Sequence, residues 1–266
     1  MKEQIRSFIL EMGVDDAGFA AIADYNSPLS PPLTGIFPGA KSLVIMANRE
    51  LDNCESENMQ IAFSGRMDIA EFARSCNYKL ARFIHREFGA KAMTIPLSYP
   101  LEMSFKTKGA IADVSLRHAA AAAGLGSFGR HNLIIHPRFG SRILFSGVIT
   151  DLDIPSDPPA PNLCTNCDLC VGSCPGNALA DEGKTHLMKC IRNSQPYGIG
   201  ATISFWTQFI DSPPEEQKKM LADEHFWRLY QAGFIGFQYF CFNCIKNCPV
   251  GGHGDKFFVP PVAHKN

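Results

Sequence analysis

Seven of the ten cysteines fall in two tight runs, Cys164-x2-Cys167-x2-Cys170-x3-Cys174-Pro175 and Cys241-x2-Cys244-x3-Cys248-Pro249. Thiolates at these steps are the ligation pattern of bacterial 4Fe–4S proteins, where three cysteines of a run hold one cluster and the fourth reaches across to another. The second run has Gln238 where a full copy would open with cysteine, and the solitary Cys190 between the runs restores the count to eight. Eight thiolates suffice for two four-ligand clusters. The chemistry this points to is one-electron transfer. Zinc is the rival reading, since paired Cys-x2-Cys units also build structural zinc sites. A zinc site, however, has no use for three successive three-residue steps or for the Cys-Pro pair closing each run.

The other two cysteines carry no such pattern. Cys76 lies on the apolar stripe of a long helix and reads as a small buried hydrophobe. Cys54, in the polar stretch Leu51-Asp-Asn-Cys-Glu-Ser56, reads as a loop thiol. A second stretch with chemical potential is Ser115-Leu-Arg-His-Ala-Ala-Ala-Ala-Ala-Gly-Leu-Gly-Ser-Phe-Gly-Arg-His-Asn132. Its alanine run predicts a helix with a thin surface, suited to close packing against a neighbour or a flat cofactor. Gly124, Gly126 and Gly129 then permit close backbone approach. The glycines follow the helix, whereas a dinucleotide fingerprint places them before it.

The elements that must position these groups divide at Leu152-Asp-Ile-Pro-Ser-Asp-Pro-Pro-Ala-Pro161, which has four prolines in ten residues and reads as an extended connector. The expected domains are therefore 1–157 and 158–266. In the first, Ile5, Phe8, Ile9 and Met12 form one face of a helix ending at Gly13. A longer helix is predicted from about Asp68 to Phe88, with Ile69, Phe72, Ala73, Cys76, Leu80, Phe83 and Ile84 on its stripe. Residues 43–46, 93–95, 133–135 and 143–150 are short apolar runs suited to strands. Interleaved strands and helices predict a layered α/β or α+β domain. In the second domain, Ser212-Pro-Pro-Glu-Glu-Gln is a helix start with serine as cap, and Gly233 marks the end. That helix would dock through Leu221, Phe226, Trp227 and Tyr230, separating the cysteine runs. Phe234, Phe237, Tyr239, Phe240 and Phe242 make an aromatic approach to the second run.

Composition narrows the function further. Net charge is −1, and no Lys/Arg block occurs, so the electrostatic footprint of a dedicated nucleic-acid binder is missing. No stretch approaches the ~20 apolar residues that span a bilayer. The N-terminus lacks the basic and apolar regions of a secretory leader. The expectation is a cytoplasmic protein in a reducing compartment, with nucleic acid an unlikely partner and no membrane.

Taken together, Ala119 to Asp151 (AAAAAGLGSFGRHNLIIHPRFGSRILFSGVITD), the proline-rich link, the run from Cys164, Lys189-Cys190-Ile191 and the run from Cys241 resemble the family of epoxyqueuosine reductases and corrinoid reductive dehalogenases. Gly65-Arg66-Met67-Asp68 is a weaker match. The resemblance covers roughly residues 62–250. It implies a nitroreductase-like N-terminal domain holding cobalamin base-off and a ferredoxin-like double 4Fe–4S module feeding electrons to cobalt. It assigns Cys164, Cys167, Cys170 and Cys248 to one cluster and Cys174, Cys190, Cys241 and Cys244 to the other. The family's proton-donating aspartate should fall near Ala110, where no acid occurs; Asp113 lies three residues on. The resemblance also implies helical repeats that grip tRNA in those reductases, and the expectation is that this sequence lacks them.

Three readings follow. The first is a corrinoid-dependent reductase of an unknown substrate, with Gly124, Gly126, Ser127, Gly129, Arg130, Asn132 and Ser141 against the cofactor. Asp113 and Tyr99 are its candidate catalytic residues, and Arg117 and His118 are further proton-donor candidates. A ferredoxin or flavodoxin type donor would supply low-potential electrons, and tRNA epoxide reduction is an alternative activity for the same apparatus. The second reading is an electron-transfer or activating partner of a separate corrinoid or flavin protein. The third replaces the corrinoid with FMN, for whose phosphate Arg66, Arg130, Arg138, Ser141 and Arg142 are available.

Overall fold

The computed structural model describes residues 1–97, 104, 107, 111–235 and 239–251. Its centre is a four-stranded antiparallel sheet in the order β1-β2-β6-β3, formed by β1 (Asp16–Ala21), β2 (Ser42–Arg49), β3 (Ala92–Thr94) and β6 (Ile143–Thr150). A small second sheet pairs β4 (Ser127–Phe128) with β5 (Ile134–Ile135). Successive side chains of a strand point to opposite faces. Accordingly Leu43, Ile45, Ala47, Phe145 and Ile149 enter one core, while Val44, Met46 and Val148 enter another. Both faces are buried, which is why these strands read as near-continuous apolar runs. Each fully buried Ile or Leu contributes about 1.5–3 kcal/mol.

Helices α1 (Lys2–Glu11) and α3 (Met59–Phe88) cover one face, and α4 (Leu116–Ala122) covers the other, beyond the short α2 (Leu33–Ile36). Helix α3 starts nine residues earlier than the apolar stripe predicts. Asn58 caps it, its side-chain oxygen accepting from the amides of Gln60 and Ile61. Cys76, Leu80 and Ile84 are buried on its stripe as expected, but Phe72 is exposed. The thin surface of α4 is used against β1, where a side chain at Gly18 would lie 2.2 Å from the Ala123 carbonyl oxygen.

The proline-rich segment is extended but not free. Ile154 is fully buried, the Asp157 amide donates to the Phe19 carbonyl at 2.8 Å, and the Asp157 carboxylate pairs with Lys2 and Arg6. It runs along the edge strand β1, because prolines that cannot extend a ladder still leave Asp157 and Ser156 able to satisfy that edge.

Beyond it lie α5 (Leu169–Gly172), α6 (Leu187–Ser194), α7 (Ile199–Asp211), α8 (Pro214–Ala222), α9 (Glu224–Ile235) and α10 (Asn243–Lys246). The single helix expected after Ser212 is two helices broken at Asp223. Ser212 is not its cap, donating instead to the Gln208 carbonyl, and Gly233 lies inside α9. No described helix is long and apolar enough to cross a membrane.

Candidate functional site

The two cysteine runs fold alike. In α5 and in α10 the cysteine stands second, and the backbone bonds repeat: Val171 to Asp168 matches Ile245 to Phe242, Gly172 to Asp168 matches Lys246 to Phe242, and Cys174 to Val171 matches Cys248 to Ile245. Helices α5 and α10 pack on each other, and Cys248 of the second run joins three cysteines of the first at one cleft.

Cys164, Cys167, Cys170 and Cys248 line one cleft, together with Arg130, His131, Ile135 and Asp168. Cys167 is exposed, whereas Cys170 and Cys248 are buried. Burial raises the Cys170 thiol pKa, and the neighbouring Cys248 and Cys167 sulfurs raise it further. Cys174, Cys190, Cys241 and Cys244 form a second group. Burial pushes Cys244 up to about 12, with added repulsion from Cys241, Cys190, Cys170 and Cys174. Cys190 is raised by burial, then by Cys241 and Cys174. The two groups therefore adjoin at Cys170 and Cys244. Among the described residues, no three His, Cys, Asp or Glu side chains converge tightly enough for a single metal ion.

The N-terminal domain reaches into this module at several points. The Arg130 amide donates to the Cys164 sulfur at 3.3 Å, while its guanidinium donates to the Leu179 carbonyl at 2.8 Å and pairs with Asp168. Arg142, buried, pairs with Glu55 and donates to the carbonyls of Lys246 and Cys248. Ser141 Oγ donates to the Ile245 carbonyl at 3.4 Å. Arg66 is paired with the buried Glu50 and lies over the rings of Tyr239 and Phe242. Arg66 and Arg142 are thus committed to protein partners, as are the glycine-loop positions. Pro158 fills the space beside Gly124, Ile134 and Ile135 that beside Gly126, and the His131 ring that beside Gly129. Ser127 Oγ accepts from the Leu163 amide, and the Asn132 carbonyl accepts from Arg117 at 2.6 Å.

A larger cleft of about 340 Å³ opens at the start of α4, lined by Ser27, Leu29, Ser30, Leu97, Val114, Ser115, Arg117 and His118, among others. Ser115 Oγ and His118 Nδ1 are 2.8 Å apart. Burial and then the Arg117 charge lower the His118 pKa. Arg117 itself is lowered by burial, partly offset by Tyr239 and Cys190. It therefore stands between this cleft and the second cysteine group. Asp113 is exposed and is not among the residues lining the cleft. Tyr99 and Phe237 lie outside the described residues. Cys54 is buried rather than a loop thiol: it packs with Ala62, Phe242 and Ile245 on a 3-10 turn.

No protein-family pattern matches the chain. Individual proteins do. An epoxyqueuosine reductase of Listeria monocytogenes is 31% identical over 150 residues, and one of Lactococcus garvieae is 32% identical over 113 residues. A third, of Bacillus cereus, is 22% identical but aligns with 94% of this chain. A crystal structure of epoxyqueuosine reductase with an epoxyqueuosine-modified tRNA-Tyr stem loop covers 94% of the chain at a TM-score of 0.60 and 19% identity. A catabolic reductive dehalogenase covers 71% at 0.57 and 20% identity. The chain resembles epoxyqueuosine reductases.

The resemblance read from the cysteine runs and glycine loop is the one the comparisons return, and the α/β fold is that of the epoxyqueuosine reductase structures. The matched region covers 32% of the Listeria epoxyqueuosine reductase and 28% of the Lactococcus one, so the chain spans about a third or less of their length in these alignments. Sequence reasoning missed Arg142 as an anchor of the second run. Its only signal was an arginine flanking an apolar strand, indistinguishable from a strand-end surface charge.

Proposed function

We propose that this chain is an iron–sulfur reductase of the epoxyqueuosine reductase type, with a nitroreductase-like domain over residues 1–157 and a ferredoxin-like module over 158–266. What supports this is that Cys164, Cys167, Cys170 and Cys248 line one cleft, and that Cys174, Cys190 and Cys241 lie near enough to Cys244 for their charges to act on it. The donor set fits two cubanes: it is all-thiolate, and among the described residues no three such side chains are gathered for a single metal ion. Cys164, Cys167, Cys170 and Cys248 would hold one cluster, and Cys174, Cys190, Cys241 and Cys244 the other. Bound there, the clusters supply one-electron transfer. The exposed Cys167 marks the side where a ferredoxin or flavodoxin type donor would deliver electrons.

The chain's own groups tune and position. The amides of Arg130 and Ala178 donate to the Cys164 and Cys174 sulfurs, each at 3.3 Å. Such bonds favour the more negative, reduced state of a cluster. The large cleft fits a corrinoid: apolar Leu29, Leu97 and Val114 suit a macrocycle face, and Ser27, Ser30, Ser115 and Arg117 suit its amide rim. When bound, cobalamin would supply the metal centre at which substrate is reduced. Arg117 places positive charge between that cleft and Cys190. FMN in the same cleft is the alternative cofactor.

The balanced charge ranks nucleic acid low among partners, and we reverse that order. The relatives at hand are epoxyqueuosine reductases, and one structure of that reductase, which matches 94% of this chain in fold, was solved with an epoxyqueuosine-modified tRNA stem loop. Epoxyqueuosine in tRNA therefore fits better than a small unknown substrate. The test is anaerobic incubation of iron-loaded protein with cobalamin, a low-potential donor and an epoxyqueuosine-modified stem loop, followed by nucleoside mass spectrometry. Loss of one oxygen from the modified base is expected. Unchanged RNA with fully loaded clusters would move the assignment to a small substrate or to an electron-transfer partner role. Denaturing the protein and weighing the released small molecule decides between corrinoid and flavin.

A further inference from the structure

His131 and His136 share one local geometry. In each, the amide two residues on donates to the ring Nδ1: Leu133 to His131 and Arg138 to His136, both at 3.1 Å. An Nδ1 that accepts carries no proton, so the proton of each neutral ring sits on Nε2 and is there to be donated. For His136 the recipient is plain, since Nε2 is 3.2 Å from the Asp16 carboxylate. For His131 there is none. Its Nε2 is buried with no hydrogen-bond partner, and the residue is only 5% exposed.

A buried polar group without a partner costs about 1–3 kcal/mol and calls for a reason. The ring lines the cleft shared by Cys164, Cys167, Cys170 and Cys248. It is held there from behind by Gly129, where a side chain would come within 2.7 Å of the ring Cε1. The neighbouring Arg130 amide already donates to the Cys164 sulfur. One short loop thus presents two donors to one cysteine quartet, one of them used and one unused.

We infer that His131 donates an Nε2–H hydrogen bond to a sulfur of the cluster held by Cys164, Cys167, Cys170 and Cys248, and so raises its reduction potential. This rests on the cluster assignment proposed above. The physical basis is that reduction adds negative charge to the sulfurs, and a fixed donor stabilises that charge. The residue touches no substrate; it is a positioning and tuning residue. Gly129 is glycine because the ring must stand where a larger residue would displace it.

The test is a potentiometric titration, followed by EPR, of the anaerobically loaded full chain as wild type, His131→Phe and His131→Asn. Phenylalanine keeps the ring and removes the donor; asparagine keeps a donor. In H131F the Cys164 cluster should be about tenfold less reduced at a fixed ambient potential, equal to about 59 mV for one electron. The second cluster should not move, and H131N should recover part of the loss. Equal potentials in wild type and H131F, both with full iron, would overturn the inference and leave the cluster assignment intact. Wild type without iron would overturn the assignment itself. Should H131F fail to fold, the wild type still decides. Pulsed EPR of the reduced cluster should show an exchangeable proton and, with labelled histidine, a nitrogen coupling; absence of both refutes the bond.

Discussion

Arg142, immediately before β6, donates to the carbonyl of Cys248 at 3.2 Å, joining the end of that strand to the last cysteine of the second run. The same guanidinium donates to the Lys246 carbonyl at 2.7 Å and pairs with Glu55. One buried cation therefore sets the backbone that carries Cys248, a proposed cluster ligand. Replacing it with methionine leaves Glu55 and two carbonyls without that donor. We expect R142M to lose about 3 kcal/mol of stability, by the cost of breaking a buried, hydrogen-bonded charge. Iron content should fall, with the Cys164 cluster affected first. Urea unfolding and iron analysis check this; unchanged values for both would show that Arg142 anchors nothing.

Cys190 is the proposed ligand that stands outside both runs. Burial raises its thiol pKa, and the charges of Cys241 and Cys174 raise it further, so it lies near both. Substituting C190S should remove one cluster and roughly halve the iron and sulfide per chain, while C54S should leave both unchanged. Colorimetric iron and sulfide assays on anoxic protein distinguish the two. Full iron in C190S would remove Cys190 from the ligand set.

Much of this was readable from residue order, and the misses have physical causes. The two cysteine runs were legible from their fixed spacing, whereas their division into quartets came from the family resemblance. The sheet was legible where both faces are buried, as in residues 43–46. Strand β1 was not, since Asp-Ala-Gly-Phe-Ala-Ala reads as small residues until Gly18 is seen beneath Ala123. Helix α7 was missed because its apolar residues Ile199, Ile203, Trp206 and Ile210 are exposed, inverting the usual pattern. Cys54 read as a loop thiol because its polar neighbours are local, whereas Phe242 and Ile245, which bury it, lie far along the chain.

That burial has a chemical consequence. Burial pushes the Cys54 thiol up to about 12, helped by the charges of Glu50 and Glu55. Alkylation proceeds through the thiolate, and three units above the ordinary value of 9.0 cut the thiolate fraction about a thousandfold. In native apoprotein at mildly alkaline pH, Cys54 should therefore resist iodoacetamide long after the exposed Cys167 has reacted. Timed alkylation with peptide mass spectrometry reads this directly. Comparable rates at the two sites would mean that the pocket around Cys54 opens freely.

Acid should weaken the fold through Asp16. Burial pushes its carboxyl up, but the hydrogen bonds from His136 and the Ala17 amide, with the charge of Arg138, outweigh burial and leave the pKa below the ordinary 3.8. A carboxylate with a depressed folded pKa stabilises fully above its unfolded value, and that contribution is lost as pH falls through the folded value. The loss therefore lies below about pH 4, and neutral pH leaves the pair intact. In D16N the acid limb of the stability profile should flatten, because the group that titrates is gone, while His136 keeps an acceptor in the amide oxygen. Chemical unfolding of apoprotein between pH 2 and 6, wild type against D16N, gives the comparison. Parallel curves would assign the acid sensitivity to other carboxylates, with Asp157 against Lys2 and Arg6 the next to examine.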